Sequence, residues 1–281
     1  MTEPVMDEGL APGLYIVATP IGNLSDLSPH AADILARADL LAVEDSRVTA
    51  KLLAHIGVKR PMTPYHDHNA DRVRPDLIER MTSQSIALVS DAGTPLISDP
   101  GYKLVRDARA AGRSIHTVAG PCAAIAALTL AGLPTDRFLF LGFLPGKAQA
   151  RAAALAEIAT FKATLILYES GPRLGGTMAT LRDELGRRDA AVVREISKRF
   201  EETVTGTLDE LAERFADLAP KGEIVIVVGP PGEAEPAGAA EIDEALRKAM
   251  TRLSASRAAA EVAQALKLPR REVYERALAL R

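Results

Sequence analysis

The sequence has almost no cysteine: Cys122 stands alone in 281 residues. An internal disulfide is excluded, which fits a reducing compartment. Histidine is scarce too, five in all, and without a cysteine cluster or a His-x-x-x-His pair there is no zinc signature, so no metal is expected. No apolar run approaches the ~20 residues of a membrane helix, so no membrane association is expected. The opening stretch MTEPVMDEGLAPG lacks the basic-then-apolar pattern of an export signal, and the protein is expected in the cytoplasm. Positive charge is not in excess. The formal net charge is −3, so a nucleic-acid partner has to be held by a local basic face rather than by the molecule as a whole. The phosphate-loop pattern Gly-x-x-x-x-Gly-Lys-Ser/Thr is also missing. Gly146-Lys147-Ala148-Gln149 is only a fragment of it, which excludes a nucleoside triphosphatase of that type.

What remains is ordinary globular composition, 47% hydrophobic and 25% charged, in a chain long enough for two or three domains of roughly 100–200 residues each. Residues 1–12 read as a loose leader. From there β-like and helical patterns alternate, which predicts an α/β fold with a parallel sheet. Strands are expected at Leu14–Ala18, Leu40–Val43, Pro61–Tyr65, Ile86–Val89 and Ser114–Val118. Helices are expected at Pro29–Ala38, Val48–His55, Asp71–Met81 and Tyr102–Ala111. Each strand runs into polar residues, so the polar ends can line one rim, where open α/β sheets bind ligands. The longest such end is LVSDAGTPLISDPG, from Leu88 to Gly101. An ordinary strand-to-helix connection needs a few residues, and about a dozen here suggests a built surface.

A small-residue helix, Ala123–Leu130, follows Ala119-Gly120-Pro121-Cys122 and can approach a ligand closely. The second half has more antiparallel character. Strands are expected at Phe138–Phe143, Thr164–Tyr168, Ala191–Arg194, Glu201–Gly206 and Glu223–Val228. Helices are expected at Ala150–Ala159, Leu174–Leu185 and Leu208–Ala216, with Glu169–Arg173 as a loop. These patterns divide the chain into α/β domains at 13–121 and 122–229. A Pro/Gly/Ala-rich linker at 230–240 leads to a helical domain at 241–281. Nine Lys or Arg against six Asp or Glu leave that tail at +3. Its expected helices, Ile242–Arg252, Ala255–Leu266 and Arg270–Ala279, have helix-turn-helix spacing, which suits either nucleic-acid contact or a packing module.

Seven motifs stand in order: LYIVATPIGN, AVEDSR, YHDHNA, LVSDAGTPLISDPG, GLPTDRFLFLGFLP, LYES and REISKRFEE. Together they closely resemble the tetrapyrrole methylase family, and within it the branch that acts on ribosomal RNA. The likeness runs from about Leu14 to Val228 and on through the helical tail. It implies a class III methyltransferase with two α/β domains and S-adenosyl-L-methionine in the cleft between them. It further implies a homodimer that methylates the ribose 2′-oxygen of one decoding-centre cytidine in the 16S rRNA of the 30S subunit.

Carried over by position, the cofactor contacts are Pro20 and Ile21, then Asp91, Gly93, Thr94, Ser98, Asp99 and Pro100 on the long loop, then Cys122, Ala123 and Tyr168. Cys122 is expected to be a buried small residue rather than a nucleophile. Glu44, Asp45 and Arg47 are expected to shape the acceptor site, with Arg47 and Lys51 reaching phosphates. An N-cap of the following helix by Asp45 or Ser46 would explain the same residues without catalysis. A ribose hydroxyl reacts better with a base to take its proton. Glu44, Asp45, His66, His68 and Glu169 remain open for that role. His66, His68 and Asn69, with Arg173 and Lys198, are the expected RNA contacts, and Arg187, Arg188 and Arg199 are further exposed charges. Two other readings are a methyltransferase for a tetrapyrrole or other small molecule and a DNA-binding regulator working through the tail helices.

Overall fold

The computed structural model describes residues 9–232, 239–266 and 268–280. The expected leader falls outside them up to residue 8, and the expected linker falls outside them at 233–238. The chain divides into two units, Met1–Pro230 and Pro231–Arg281. No helix of the described residues is long and apolar enough to cross a membrane.

The first unit contains two five-stranded sheets. One is built from β1 (Gly13–Val17), β2 (Leu40–Val43), β3 (Met62–Pro64), β4 (Ser85–Val89) and β5 (Ile115–Val118), in the order β3-β2-β4-β1-β5. All of its pairs are parallel. β2 and β4 are buried along their whole length, as expected of strands covered on both faces. β1 shows how the two faces are shared. Tyr15 and Val17 pack with Leu35 and Leu53, whereas Leu14 packs with Leu77 and Leu104. The covering helices are α1 (Pro29–Arg37), α2 (Ser46–His55), α3 (Ala70–Arg80) and α4 (Tyr102–Ala110). α1 starts where the sequence says it must: Pro29 occupies its first turn and the Ser28 side chain accepts from the Ala31 N–H at 3.0 Å.

α5 (Ala123–Ala131) then packs on the second sheet, against Ile166, Val193 and Val225. That sheet comprises β6 (Phe138–Phe143), β7 (Thr164–Ser170), β8 (Asp189–Arg194), β9 (Glu202–Thr207) and β10 (Glu223–Val228), ordered β6-β7-β10-β8-β9. Only β6 and β7 are parallel. Its other face is covered by α6 (Ala148–Ala156), α7 (Gly171–Leu185) and α8 (Leu208–Arg214), around Leu165, Leu167, Leu181 and Ile226.

Two expectations are corrected here. The loop expected at Glu169–Arg173 does not exist, because β7 continues to Ser170 and α7 begins at Gly171. Pro172 suits a first helical turn. Gly171 lies so close to the 219–220 backbone that a Cβ would stand 1.7 Å from the Pro220 oxygen. Only glycine fits there, so strand passes directly to helix. Arg188, expected on an exposed basic face, is 4% exposed. Its guanidinium donates to the carbonyls of Leu185 at 3.3 Å, Gly229 at 3.5 Å and Ala159. It thereby ties the end of α7 to the segment after α6 and to the exit of β10, and burial lowers its pKa.

The second unit holds α9 (Ala239–Met250), α10 (Ala255–Leu266) and α11 (Arg270–Ala279) around Leu246, Ala258, Ala259, Val262 and Val273. Much of its basic charge is internally paired. Arg276 meets Asp243, Arg252 meets Glu261, and Arg271 meets Glu275 at 3.0 Å. Lys267 and Arg281, counted in the tail's charge, lie outside the described residues.

Replacing a buried donor that serves three carbonyls strands all three. Arg188→Ala is expected to lower unfolding free energy in urea by about 2–4 kcal/mol, while Arg187→Ala, exposed next door, stays close to wild type. Equal, small effects from both would contradict the tie.

Candidate active site

The parallel strands of the first sheet deliver their loops to one edge, and backbone bonds lace those loops together. The Thr19 N–H donates to the Gly93 carbonyl at 2.8 Å and the Gly93 N–H returns to Thr19 at 3.1 Å, joining the loops after β1 and β4. The Asp45 N–H donates to Asp91 Oδ1 at 3.0 Å, and the Asp91 N–H to Glu44 Oε2 at 3.3 Å, which adds the loop after β2. Thr94 Oγ1 donates to the Pro121 carbonyl at 2.9 Å and adds the loop after β5. The long loop from Ser90 to Gly101 turns sharply to make these contacts. Gly93 (φ 81°), Leu96 (φ 75°) and Ser98 (φ 62°) are all left-handed. Two non-glycine residues in that region store strain, which clusters at ligand-binding loops.

This laced edge faces the second sheet across a cleft of about 260 Å³. Ile21, Asp91, Gly93, Thr94, Ser98, Asp99, Cys122, Ala123 and Tyr168 border it, as do Glu44 and Glu169, whereas Pro20 and Pro100 do not. Cys122 is half-buried at the N-cap of α5, without a side-chain cap bond. Tyr168 Oη accepts from the Ala124 N–H at 3.2 Å, and burial pushes its phenol pKa up. Of the five carboxylates that line the cleft, three have raised pKa values. Burial raises the pKa of Asp99 to about 6, with Glu44 and Asp91 pushing the same way against a hydrogen bond from Ser90. Burial likewise raises Glu44 and Asp91. A partly desolvated acidic cluster suits a cationic ligand.

The remaining expected residues divide. Asp45 caps α2, accepting from the Arg47 N–H at 2.8 Å, and pairs with the Arg47 guanidinium at 2.5–3.2 Å, so its pKa is held low. The capping explanation of Asp45 therefore holds. The Arg47 side chain is 87% exposed, and Lys51 stands one turn further along the same helix, also exposed. Asn69 braces the neighbouring turn, accepting from the His66 N–H at 2.9 Å and donating to the Pro64 carbonyl at 2.9 Å. The imidazoles of half-buried His66 and exposed His68 lie edge to face at 5.9 Å.

Glu169 does not fit a base. Its carboxylate accepts from Thr177 Oγ1 at 2.6 Å and from its neighbour's N–H at 2.7 Å, and pairs with Arg173 at 3.2 Å. Arg173 also donates to the Leu144 carbonyl at 2.6 Å, so it braces β7 against the exit of β6 instead of projecting outward. Lys198 is likewise spoken for, bridging Glu195 at 2.9 Å and Glu223 at 3.0 Å with its stem against Gly22.

Ala92, Ile97, Phe143, Ile196 and Glu223–Val225 also line the cleft and were missed in the sequence. Ile196 lay within a recognised motif and Phe143 within another. The wall from β10 follows from the β7-β10-β8 order, which no local pattern reveals.

The laced parallel edge, the acidic cleft and the antiparallel second sheet define a methylase-type fold. Residues 13–212 match the Tetrapyrrole (Corrin/Porphyrin) Methylases, and residues 236–281 match the RsmI C-terminal HTH domain. Ribosomal RNA small subunit methyltransferase I of Mesorhizobium japonicum is 46% identical over 97% of this chain and 93% of its own. The protein of that name from Erythrobacter litoralis is 48% identical over 98% and 97%. Among solved structures, uroporphyrin-III C-methyl transferase from Thermus thermophilus, complexed with S-adenyl homocysteine, superposes with a TM-score of 0.54 at 20% identity, covering 77% of this chain and 97% of that one. The chain belongs to the ribosomal RNA small subunit methyltransferase I family, within the tetrapyrrole methylases.

The raised Asp99 fixes a pH signature. Its pKa of about 6 in the fold exceeds the ordinary 3.8. Between those values the folded state holds a proton that the unfolded chain has lost, so stability falls as pH rises through this window. Asp99→Asn removes the penalty. The melting temperature of the variant relative to wild type is expected to be higher at pH 8 than at pH 4. A difference independent of pH would contradict the assignment.

Proposed function

We propose that this enzyme transfers the methyl group of S-adenosyl-L-methionine to the ribose 2′-oxygen of cytidine 1402 in the 16S rRNA of the 30S subunit. The observation that carries this reading is the 46–48% identity, over nearly the whole chain, to relatives named ribosomal RNA small subunit methyltransferase I. We propose likewise that it works as a homodimer in the cytoplasm, as the resemblance of its motifs to the family implies.

The cleft suits the cofactor in three respects. Asp91 and Asp99 offer acceptors for an ammonium or ribose hydroxyls. Gly93 and Ala123 leave room for close backbone approach. Ile21, Tyr168, Ile196 and Val225 supply apolar walls. When bound, S-adenosyl-L-methionine supplies an electrophilic methyl group on a sulfonium that leaves as a neutral thioether. The protein's share of the work is then alignment, which can supply on the order of 7–11 kcal/mol, and removal of the hydroxyl proton.

Glu44 is the group best placed to take that proton. It borders the cleft and receives only the Asp91 N–H, on Oε2. Burial raises its pKa towards working pH, the direction a general base needs. Asp45 is locked to Arg47, and Glu169 has both oxygens occupied. Arg47, Lys51, His66, His68 and Asn69 lie around the neighbouring rim as phosphate and nucleotide contacts. Arg173 and Lys198, being paired, contribute by holding the walls.

Purified protein incubated with labelled S-adenosyl-L-methionine and 30S subunits from cells lacking this modification is expected to label one cytidine ribose. Glu44→Gln is expected to lower kcat by roughly 10²–10⁴-fold, with a smaller loss for Glu169→Gln at matched stability. Label only on a small acceptor, or on none, would overturn the reading. A fully active Glu44→Gln would overturn the choice of base.

A further inference from the structure

β6 does not keep strand alternation to its end. Leu139 and Leu141 pack on the face of the second sheet covered by α6–α8, and Phe140 packs on the face shared with α5. Continued alternation would put residue 143 with Leu139 and Leu141. Instead the register slips between Phe140 and Gly142, so Leu141 is an extra residue and Phe143 pairs with Tyr168 of β7. Bulges re-aim side chains in this way. The result is that Phe140 and Phe143 both meet the Tyr168 ring, at 5.0 and 5.6 Å between centroids, and Phe143 borders the cleft.

The long loop of the first sheet lies against the bulge. Gly142 has φ 61°, and a Cβ there would stand 2.8 Å from Ser98 Oγ. Ser98 is itself left-handed. A strained loop thus lies against a bulge whose effect is to turn a phenylalanine out of the core. Phe143 remains 57% exposed at the cleft, and Ile97, from the same loop, is 36% exposed beside it. Leaving an aromatic ring so open at a ligand cleft gives up burial that the other face of the sheet would have provided.

We propose that Phe143, with Ile97, is the shelf on which the base of the acceptor nucleotide stacks. The inference rests on the RNA reading above and deepens it. A ribose inside a helical stem does not reach an enclosed cleft, so the acceptor nucleotide has to be presented unstacked. Unstacked bases are held by aromatic side chains. The other candidate occupant of the ring is the adenine of the cofactor. Ile21, Ala123, Ile196 and Val225 are more buried than Phe143 and already wall the cleft. A small cofactor is largely enclosed by its site. The most open apolar ring therefore goes to the macromolecular substrate.

The test compares Phe143→Ala, Phe143→Leu and Phe143→Tyr. Alanine is expected to raise KM for 30S subunits roughly ten-fold, with kcat, the Kd for S-adenosyl-L-methionine and the melting temperature near wild type. Tyrosine restores KM, whereas leucine, apolar but without a ring, restores it only in part. An unchanged KM in the alanine variant overturns the shelf. So does a leucine variant equal to wild type, or a Kd for the cofactor that weakens in step with KM, which would give the ring to adenine. If wild-type protein binds the cofactor but leaves 30S subunits unlabelled, the RNA reading itself has failed and the shelf falls with it.

Discussion

Two backbone hydrogen bonds, from Thr19 to Gly93 and back, are the constraint on which the site depends. β1 and β4 are neighbours in the parallel sheet, so their loops leave side by side, but nothing in a parallel sheet obliges those loops to stay together. The short antiparallel bridge makes them continue as one surface. Once Gly93 is fixed, Thr94 reaches the Pro121 carbonyl, Asp91 exchanges contacts with Glu44 and Asp45 of the loop after β2, and Ser98 arrives at the β6 bulge. Four strand ends and the second sheet are thereby referred to one glycine whose φ of 81° a side chain would resist.

The same lacing concentrates negative charge. Glu44, Asp91 and Asp99 are drawn into one partly desolvated space, where burial raises the pKa of each, Asp91 adds to the rise of Glu44, and both add to the rise of Asp99. A fold selected only for stability would neutralise or expose them. Retaining them has a stability cost, the usual relation between a preorganised site and the scaffold that carries it. A positively charged ligand recovers that cost on binding. Elsewhere the charges are quenched: Arg173 on Glu169, Lys198 on Glu195 and Glu223. The contrast between satisfied pairs in the walls and unpaired carboxylates in the cleft separates scaffold from chemistry.

Much of this was legible in the chain. Apolar runs such as Leu40–Val43 and Ile86–Val89 are buried on both faces and could only be central strands, and the overlong loop after the second of them marked the cleft. The family resemblance, carried over by position, named nine of the residues that line the cleft. What could not be read depends on distant partners. Glu169 and Arg173 looked like a polar loop because the close approach that restricts position 171 to glycine comes from Pro220, about fifty residues on. Arg188 looked like surface charge because the carbonyls that bury it belong to three separate segments. Phe143 was only the last residue of the expected strand FLFLGF, since a bulge is a property of the paired strand, not of the strand alone.

A crystal structure of the protein with S-adenosyl homocysteine decides whether the surface laced by Thr19 and Gly93 forms one side of the methyl-donor site. The ligand is expected between the Asp91–Asp99 loop and Ala123–Tyr168, with a carboxylate of Asp91 or Asp99 within hydrogen-bond distance and Glu44 left free at the mouth. Ligand bound elsewhere on the chain, or bound in the cleft with Glu44 engaged on the cofactor, would contradict it.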